Sequence, residues 1–170
     1  SQSAQASAIY GALEQAVAMR DAQKVKAAAG ELAEKFGGTS YAALGALVAA
    51  RQSFDAGDLQ TAKAQLTWAA ENGKDEIRDL ARLRLASVLL DEKAYDDALK
   101  QLEAAHAAAF AARFLELKGD VLAASGKKPE ARTAYKAALD KGGSREGRGG
   151  GAGAGRELLQ QKLDNLGEAA

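Results

Sequence analysis

His106 is the only histidine in the chain, and Glu103 stands three residues before it. On one helix face that spacing could pair a general base with a carboxylate, or begin a metal site. A metal site needs several converging ligands, and a general base needs a partner that orients it. The sequence offers neither, so Glu103 reads as an ordinary helix-surface carboxylate and His106 as a solvated or locally bonded side chain. A second candidate is the run Gly147-Arg148-Gly149-Gly150-Gly151-Ala152-Gly153-Ala154-Gly155. Within it, Gly149-x-Gly151-x-x-Ala154 fits a relaxed dinucleotide fingerprint, whose glycines let the backbone approach a pyrophosphate. That chemistry requires a strand before the run and a helix after it. Here the run follows a helix-patterned segment, and no Gly-Lys-Ser/Thr ending supplies a phosphate loop. It reads as a flexible linker, with a small nucleotide-binding enzyme as the remote alternative. Asp96-Asp97 open a helix, where negative charge suits the macrodipole. Trp68, Tyr95, Phe110, Phe114 and Tyr135 fall at spacings that favour packing over binding. No catalytic residue, metal ligand or cofactor is assigned, and the expectation is a protein without enzymatic activity.

The elements that would carry such residues are helical throughout. Of 170 residues, 47% are hydrophobic but only 5% aromatic, and alanine fills the difference. An Ala/Leu/Glu/Lys/Arg-rich chain with one proline is built from the strongest helix formers. Charge is balanced, 23 basic against 23 acidic residues, with no basic stripe of the kind nucleic acid requires. The chain has no cysteine, which excludes disulfides, thiol catalysis and cysteine-held metals without identifying a compartment. No run reaches the ~18 apolar residues of a spanning helix. The start at Ser1, inside a polar and helix-compatible stretch, reads as a cut in a longer protein.

Three stretches repeat one pattern: Ala56-Gly57-Asp58-Leu59-Gln60-Thr61-Ala62, Glu92-Lys93-Ala94-Tyr95-Asp96-Asp97-Ala98 and Ser125-Gly126-Lys127-Lys128-Pro129-Glu130-Ala131. They recur at intervals of 36 and 33 residues, each between two helix-patterned apolar segments. A period in that range marks stacked helical hairpins. Four are expected, over residues 6–36, 40–72, 75–105 and 110–140, giving a repeat domain over residues 1–141. Thr39-Ser40 and Asp75 supply N-caps, and Pro129 suits a first helical turn. From Gly142 to Gly155 eight of fourteen residues are glycine, which predicts a flexible loop over 142–155. Leu158, Leu159, Leu163 and Leu166 then restore a helical stripe over 156–166, the capping helix that an open stack needs over its last apolar face.

The last hairpin carries the tetratricopeptide (TPR) pattern best. Gly119 stands at the small position of its first helix, Gly126 at the turn, Ala131 at the tight contact, then Tyr135 and Ala138. The third hairpin matches with Ala86, Lys93, Ala98, Leu102 and Ala105, and the second with Ala50, Gly57, Ala62, Leu66 and Ala69. The first fits poorly, with Val25 at the tight position. The fold expected is an all-α, TPR-like stack of antiparallel hairpins. The ordered segments Leu66-Thr67-Trp68-Ala69, Leu80-Ala81-Arg82-Leu83-Arg84-Leu85-Ala86, Leu117-Lys118-Gly119-Asp120-Val121-Leu122 and Leu158-Leu159-Gln160-Gln161-Lys162-Leu163-Asp164-Asn165-Leu166 narrow this. From about Ala6 to Leu166 the chain resembles the TPR-like periplasmic domain of the bacterial ancillary SecYEG translocon subunit family. The glycine-rich segment is longer than that family leads one to expect.

The resemblance implies a non-catalytic interaction domain at the periplasmic face of the inner membrane, anchored by one upstream transmembrane helix. It implies translocon subunits and a membrane-anchored periplasmic chaperone of the peptidyl-prolyl isomerase type as partners, during protein export. The alternative is a TPR scaffold for another cytosolic or envelope assembly. In TPR geometry Tyr41, Leu44, Val48, Arg51, Arg84, Ser87, Glu116 and Asp120 project toward the concave groove. There, apolar residues and separated charges can hold a segment of a partner, unless the face packs against the domain's own terminal helices.

Overall fold

The computed structural model describes residues 1–142 and 151–167. Among them stand nine α-helices and one 3-10 turn, and no strand. The helices are α1 (Gln2–Ala18), α2 (Ala22–Lys35), α3 (Ser40–Asp55), α4 (Leu59–Asn72), α5 (Asp75–Asp91), α6 (Tyr95–Glu103), α7 (Ala111–Ala124), α8 (Lys128–Asp140) and α9 (Gly151–Asn165), with the 3-10 turn at Ala108–Phe110. They form two compact units that divide within α5, one from Ser1 to Leu85 and one from Ala86 onward.

One turn is used four times. At each α1–α2, α3–α4, α5–α6 and α7–α8 junction a single residue adopts positive φ: Arg20 (56°), Gly57 (81°), Lys93 (62°) and Gly126 (84°). Its N–H donates three residues back, to Val17, Phe54, Leu90 and Ala123 carbonyls respectively. The following N–H donates five back, to Ala16, Ser53, Leu89 and Leu122. That paired bonding is the Schellman ending, which satisfies carbonyls the helix leaves unpaired and reverses the chain. The next helix starts at once. Asp21 and Asp58 accept from the N–H of Lys24 and Thr61, both at 3.2 Å, which satisfies one orphan donor in each case. Thr39 stands at the N-cap of α3, but its hydroxyl donates to the Phe36 carbonyl at 2.8 Å and makes no cap bond. Asp75, expected as a cap, instead takes a φ of 53° as the first residue of α5.

Within the first unit, Leu13, Val25 and Leu32 are fully buried among Ala6, Ala16, Ala29, Ala42 and Ala49. Val25 fits the core, although it breaks the small-residue rule seen in the other hairpins. The helices pack tightly at Gly45, where an added Cβ would lie 2.7 Å from Leu32 Cδ1. In the second unit Leu122, Ala131, Ala134, Tyr135 and Ala138 of the α7–α8 hairpin pack with Leu159 of α9 and with Leu166 just past its end. Leu159 and Leu163 lie four residues apart on one face of α9, which with Leu166 in the turn after it covers the apolar surface of that hairpin.

The small positions of the repeat are closed: Ala50, Ala62, Ala69, Ala86, Ala98, Ala131 and Ala138 are all buried. Ala105 is an exception to the expected pattern and is exposed. Helix α6 ends two residues earlier, at Glu103, because Ala104 turns extended at ψ 149°. The glycine-rich segment also departs from expectation. Residues 143–150 lie outside the described residues, but the helix expected from 156 already begins at Gly151. A helical glycine costs roughly 0.5–1 kcal/mol relative to alanine. The alternation with Ala152 and Ala154, without proline, keeps that cost within what the packed leucines of α9 offset.

Candidate functional site: an arginine-rimmed groove

Four of the eight residues expected on the inner face come together in the first unit. Leu44, Val48 and Arg51 of α3 and Arg84 of α5 line a groove of about 770 Å³ with Val17, Arg20, Leu47, Gln52, Asp55, Ala56 and Leu80. The arrangement follows from helical spacing. Leu44, Val48 and Arg51 lie at i, i+4 and i+7 on α3, while Leu80 and Arg84 lie at i and i+4 on α5. The floor is thus apolar, from Val17, Leu44, Leu47, Val48 and Leu80, and the guanidiniums of Arg20, Arg51 and Arg84 supply positive charge around it. Among the described residues Asp55 is the only acid in the lining. It stands 3.6 Å from Arg51 Nε, with both side chains more than three-fifths exposed, so solvent weakens the pair. A surface of this kind can hold apolar side chains of another chain.

The other four expected residues lie elsewhere. Tyr41 is half-buried beside the core, its ring tilted against Tyr10 with centroids 5.7 Å apart. Ser87 is exposed on α5, outside the groove lining. Glu116 and Asp120 meet Lys162 of the chain's own α9. The Lys162 ammonium lies 2.7 Å from Glu116 Oε2 and 3.0 Å from Asp120 Oδ1. Tyr135 Oη donates to Asp120 Oδ1 at 2.7 Å. Glu116 is only 3% exposed. Burial alone would push the Lys162 ammonium below its ordinary range, but the two carboxylates outweigh it and hold it above. Burial raises the Tyr135 phenol, and its bond to Asp120 raises it further.

Sequence spacing missed Val17, Arg20, Leu47 and Leu80. Two signals could have found what it missed. The Leu-x-x-x-Arg step occurs on both groove helices, as Leu47–Arg51 and Leu80–Arg84. With Gly119 aligned to Ala50, Glu116 stands where α3 has Leu47. An acid at a core-facing position calls for a cation, and Lys162 is that cation.

The remaining candidates resolve into packing. The His106 ring stacks on Phe114 at 3.9 Å and its Nδ1 lies 2.9 Å from the Ala104 carbonyl. No group of three potential metal-ligating side chains occurs among the described residues. Phe114 and Tyr135 are buried, while Trp68 packs on the first-unit core. In the fingerprint run, Gly149 lies outside the described residues, whereas Gly151 to Ala154 are already helix α9. No strand precedes them among the described residues. No helix among those residues is long and apolar enough to cross a membrane.

Known proteins match the chain closely. A family model described as a tetratricopeptide repeat-like domain matches residues 1–168. The ancillary SecYEG translocon subunit of Neisseria gonorrhoeae is 40% identical over 144 residues, covering 84% of this chain and 66% of that protein. The subunit of the same name from Escherichia coli is 33% identical over 138 residues, 79% of this chain and 63% of that protein. The one from Haemophilus influenzae is 30% identical over 166 residues, 97% of this chain and 76% of that protein. The chain spans roughly two-thirds of the length of these curated relatives. With that coverage, and with four hairpin turns of one geometry, the chain belongs to the tetratricopeptide repeat-like family that includes the ancillary SecYEG translocon subunits.

Proposed function

We propose that this chain is a non-catalytic protein-interaction domain that works beside the Sec translocon. The observation that carries the reading is the 40% identity to a Neisseria protein named for that association. The groove of the first unit supports it, since a water-facing apolar floor with separated charges suits a partner segment rather than a reaction. The finer reading follows the resemblance. The domain stands on the periplasmic face of the bacterial inner membrane, as the soluble part of a single-pass protein. It links translocon subunits with a membrane-anchored periplasmic chaperone during export. Leu44, Val48, Arg51 and Arg84 take part in docking.

A photoreactive amino acid at Gln52, in the groove lining, tests this in membranes carrying the full-length protein. The expected adducts contain a translocon subunit or the chaperone. Adducts with neither, at normal expression, would sink the reading.

A further inference from the structure

We propose that the first-unit groove selects an acidic amphipathic segment of a partner protein, and that Arg20 is the charge that recognises it. The inference rests on the reading of this groove as a docking surface.

Charge is the first argument. The whole chain is balanced, yet the groove lining holds three arginines and one aspartate. Asp55 is engaged with Arg51 through an exposed pair that an incoming carboxylate can exchange at little cost. The Arg20 guanidinium makes no ion pair among the described residues. The apolar floor asks for aliphatic side chains between the carboxylates. Leu44 and Val48 lie one helical turn apart and match a partner with the same spacing.

Backbone conformation is the second, independent argument. Arg20 sits at the positive-φ residue of its turn, and the same position is glycine at Gly57 and Gly126. A side chain there is disfavoured by contact between its Cβ and the backbone. Residues held in this conformation by their surroundings cluster at binding and active sites. Lys93 is the other non-glycine in the series, and it does not line this groove. In the first turn, the strained position also carries a groove cation that makes no ion pair among the described residues.

The test uses the full chain and two labelled peptides. One carries leucines four residues apart flanked by glutamates; the other has glutamine for every glutamate. The unaltered protein should bind the glutamate peptide about tenfold more tightly, and added salt should erode the difference. Arg20→Gly should weaken the glutamate peptide about three- to fivefold and leave the glutamine peptide unchanged, with no lower melting temperature. Arg20→Lys should retain most of the affinity. Equal binding of the two peptides would overturn charge selection. Unchanged binding by Arg20→Gly would overturn the role of Arg20. Binding to anionic phospholipid vesicles that the glutamate peptide cannot displace would overturn the partner class. In each of these failures, translocon adducts from Gln52 would persist if the groove is a docking surface, and would be missing if it is not.

Discussion

The Lys162 ammonium lies 2.7 Å from the buried Glu116 carboxylate, across 46 positions of sequence. This bond joins the end of the chain to the middle of α7. With Asp120 alongside, it makes the inner edge of the last hairpin a closed, self-satisfied ion cluster. At the matching repeat positions α3 carries Leu47 and Arg51 in place of Glu116 and Asp120, and both line the groove of the first unit. Lys162→Met should therefore cost about 2–3 kcal/mol, because it removes the cation that the buried Glu116 carboxylate shares with Asp120. The partial exposure of Lys162 keeps the figure at the low end. Joint replacement with Glu116→Leu should cost less than the two single changes added together. Urea unfolding of the three variants measures all of these quantities.

The same cluster makes stability depend on alkaline pH. Both Lys162 and Tyr135 hold their protons more firmly when folded than in the unfolded chain. A raised folded value means the stabilisation is complete below the unfolded values, near pH 10 for both groups. It is lost as pH rises from there through the folded values. The unfolding free energy should be flat with respect to these two groups at neutral pH and fall above about pH 10. Tyr135→Phe should lower stability by about 1 kcal/mol at pH 7, since one hydrogen bond to Asp120 goes. It should also make the alkaline decline shallower. Thermal melts from pH 7 to 11 give both readings.

Two helical glycines should respond oppositely to alanine. An added Cβ on Gly119 would be driven into the ring of Tyr135, which is itself buried. Gly119→Ala should destabilise by about 1–3 kcal/mol, the range for overpacked cores. Gly30, in the middle of α2, has nothing within 4 Å of the same atom. Gly30→Ala should stabilise by about 0.5–1 kcal/mol through helix propensity. Chemical denaturation of the pair separates a glycine required for close approach from one that is merely tolerated.

These residues also mark how far the sequence could be read. The hairpin period was legible because one turn geometry dictates one local pattern, so Gly57, Lys93 and Gly126 announced themselves. Arg20 did not, since a long cation at a positive-φ site carries no compositional signal. The groove was half legible: the i, i+4, i+7 rule found Leu44, Val48 and Arg51 on one helix. It could not find Val17 or Leu80, whose places depend on how α1 and α5 pack against α3. Glu116 and Asp120 were expected on the concave face, where the sequence left open a partner or the chain's own terminal helix, because their cation lies in a helix 46 and 42 residues away. The early start of α9 was hidden because glycine composition lowers helix propensity, while the leucines that hold the helix lie further along it.

The groove itself can be tested against a position that resembled it in sequence. Val48 is half-buried in the lining, and Ser87 is exposed on α5 outside it. Both were expected on the inner face, but it is Val48 that lines the apolar groove, where a partner side chain can be desolvated. Docking energy concentrates in such water-excluded positions, where truncation costs about 2 kcal/mol or more. A polar amide at 48 would have to give up water to admit a partner, whereas a carboxylate at 87 would stay solvated. Val48→Asn should therefore cut the yield of translocon or chaperone adducts from Gln52 at least tenfold, at a stability cost of about 1 kcal/mol read by melting. Ser87→Asp should leave both readings unchanged. The reverse order of effects would move the docking surface off the groove and onto the exposed face of α5.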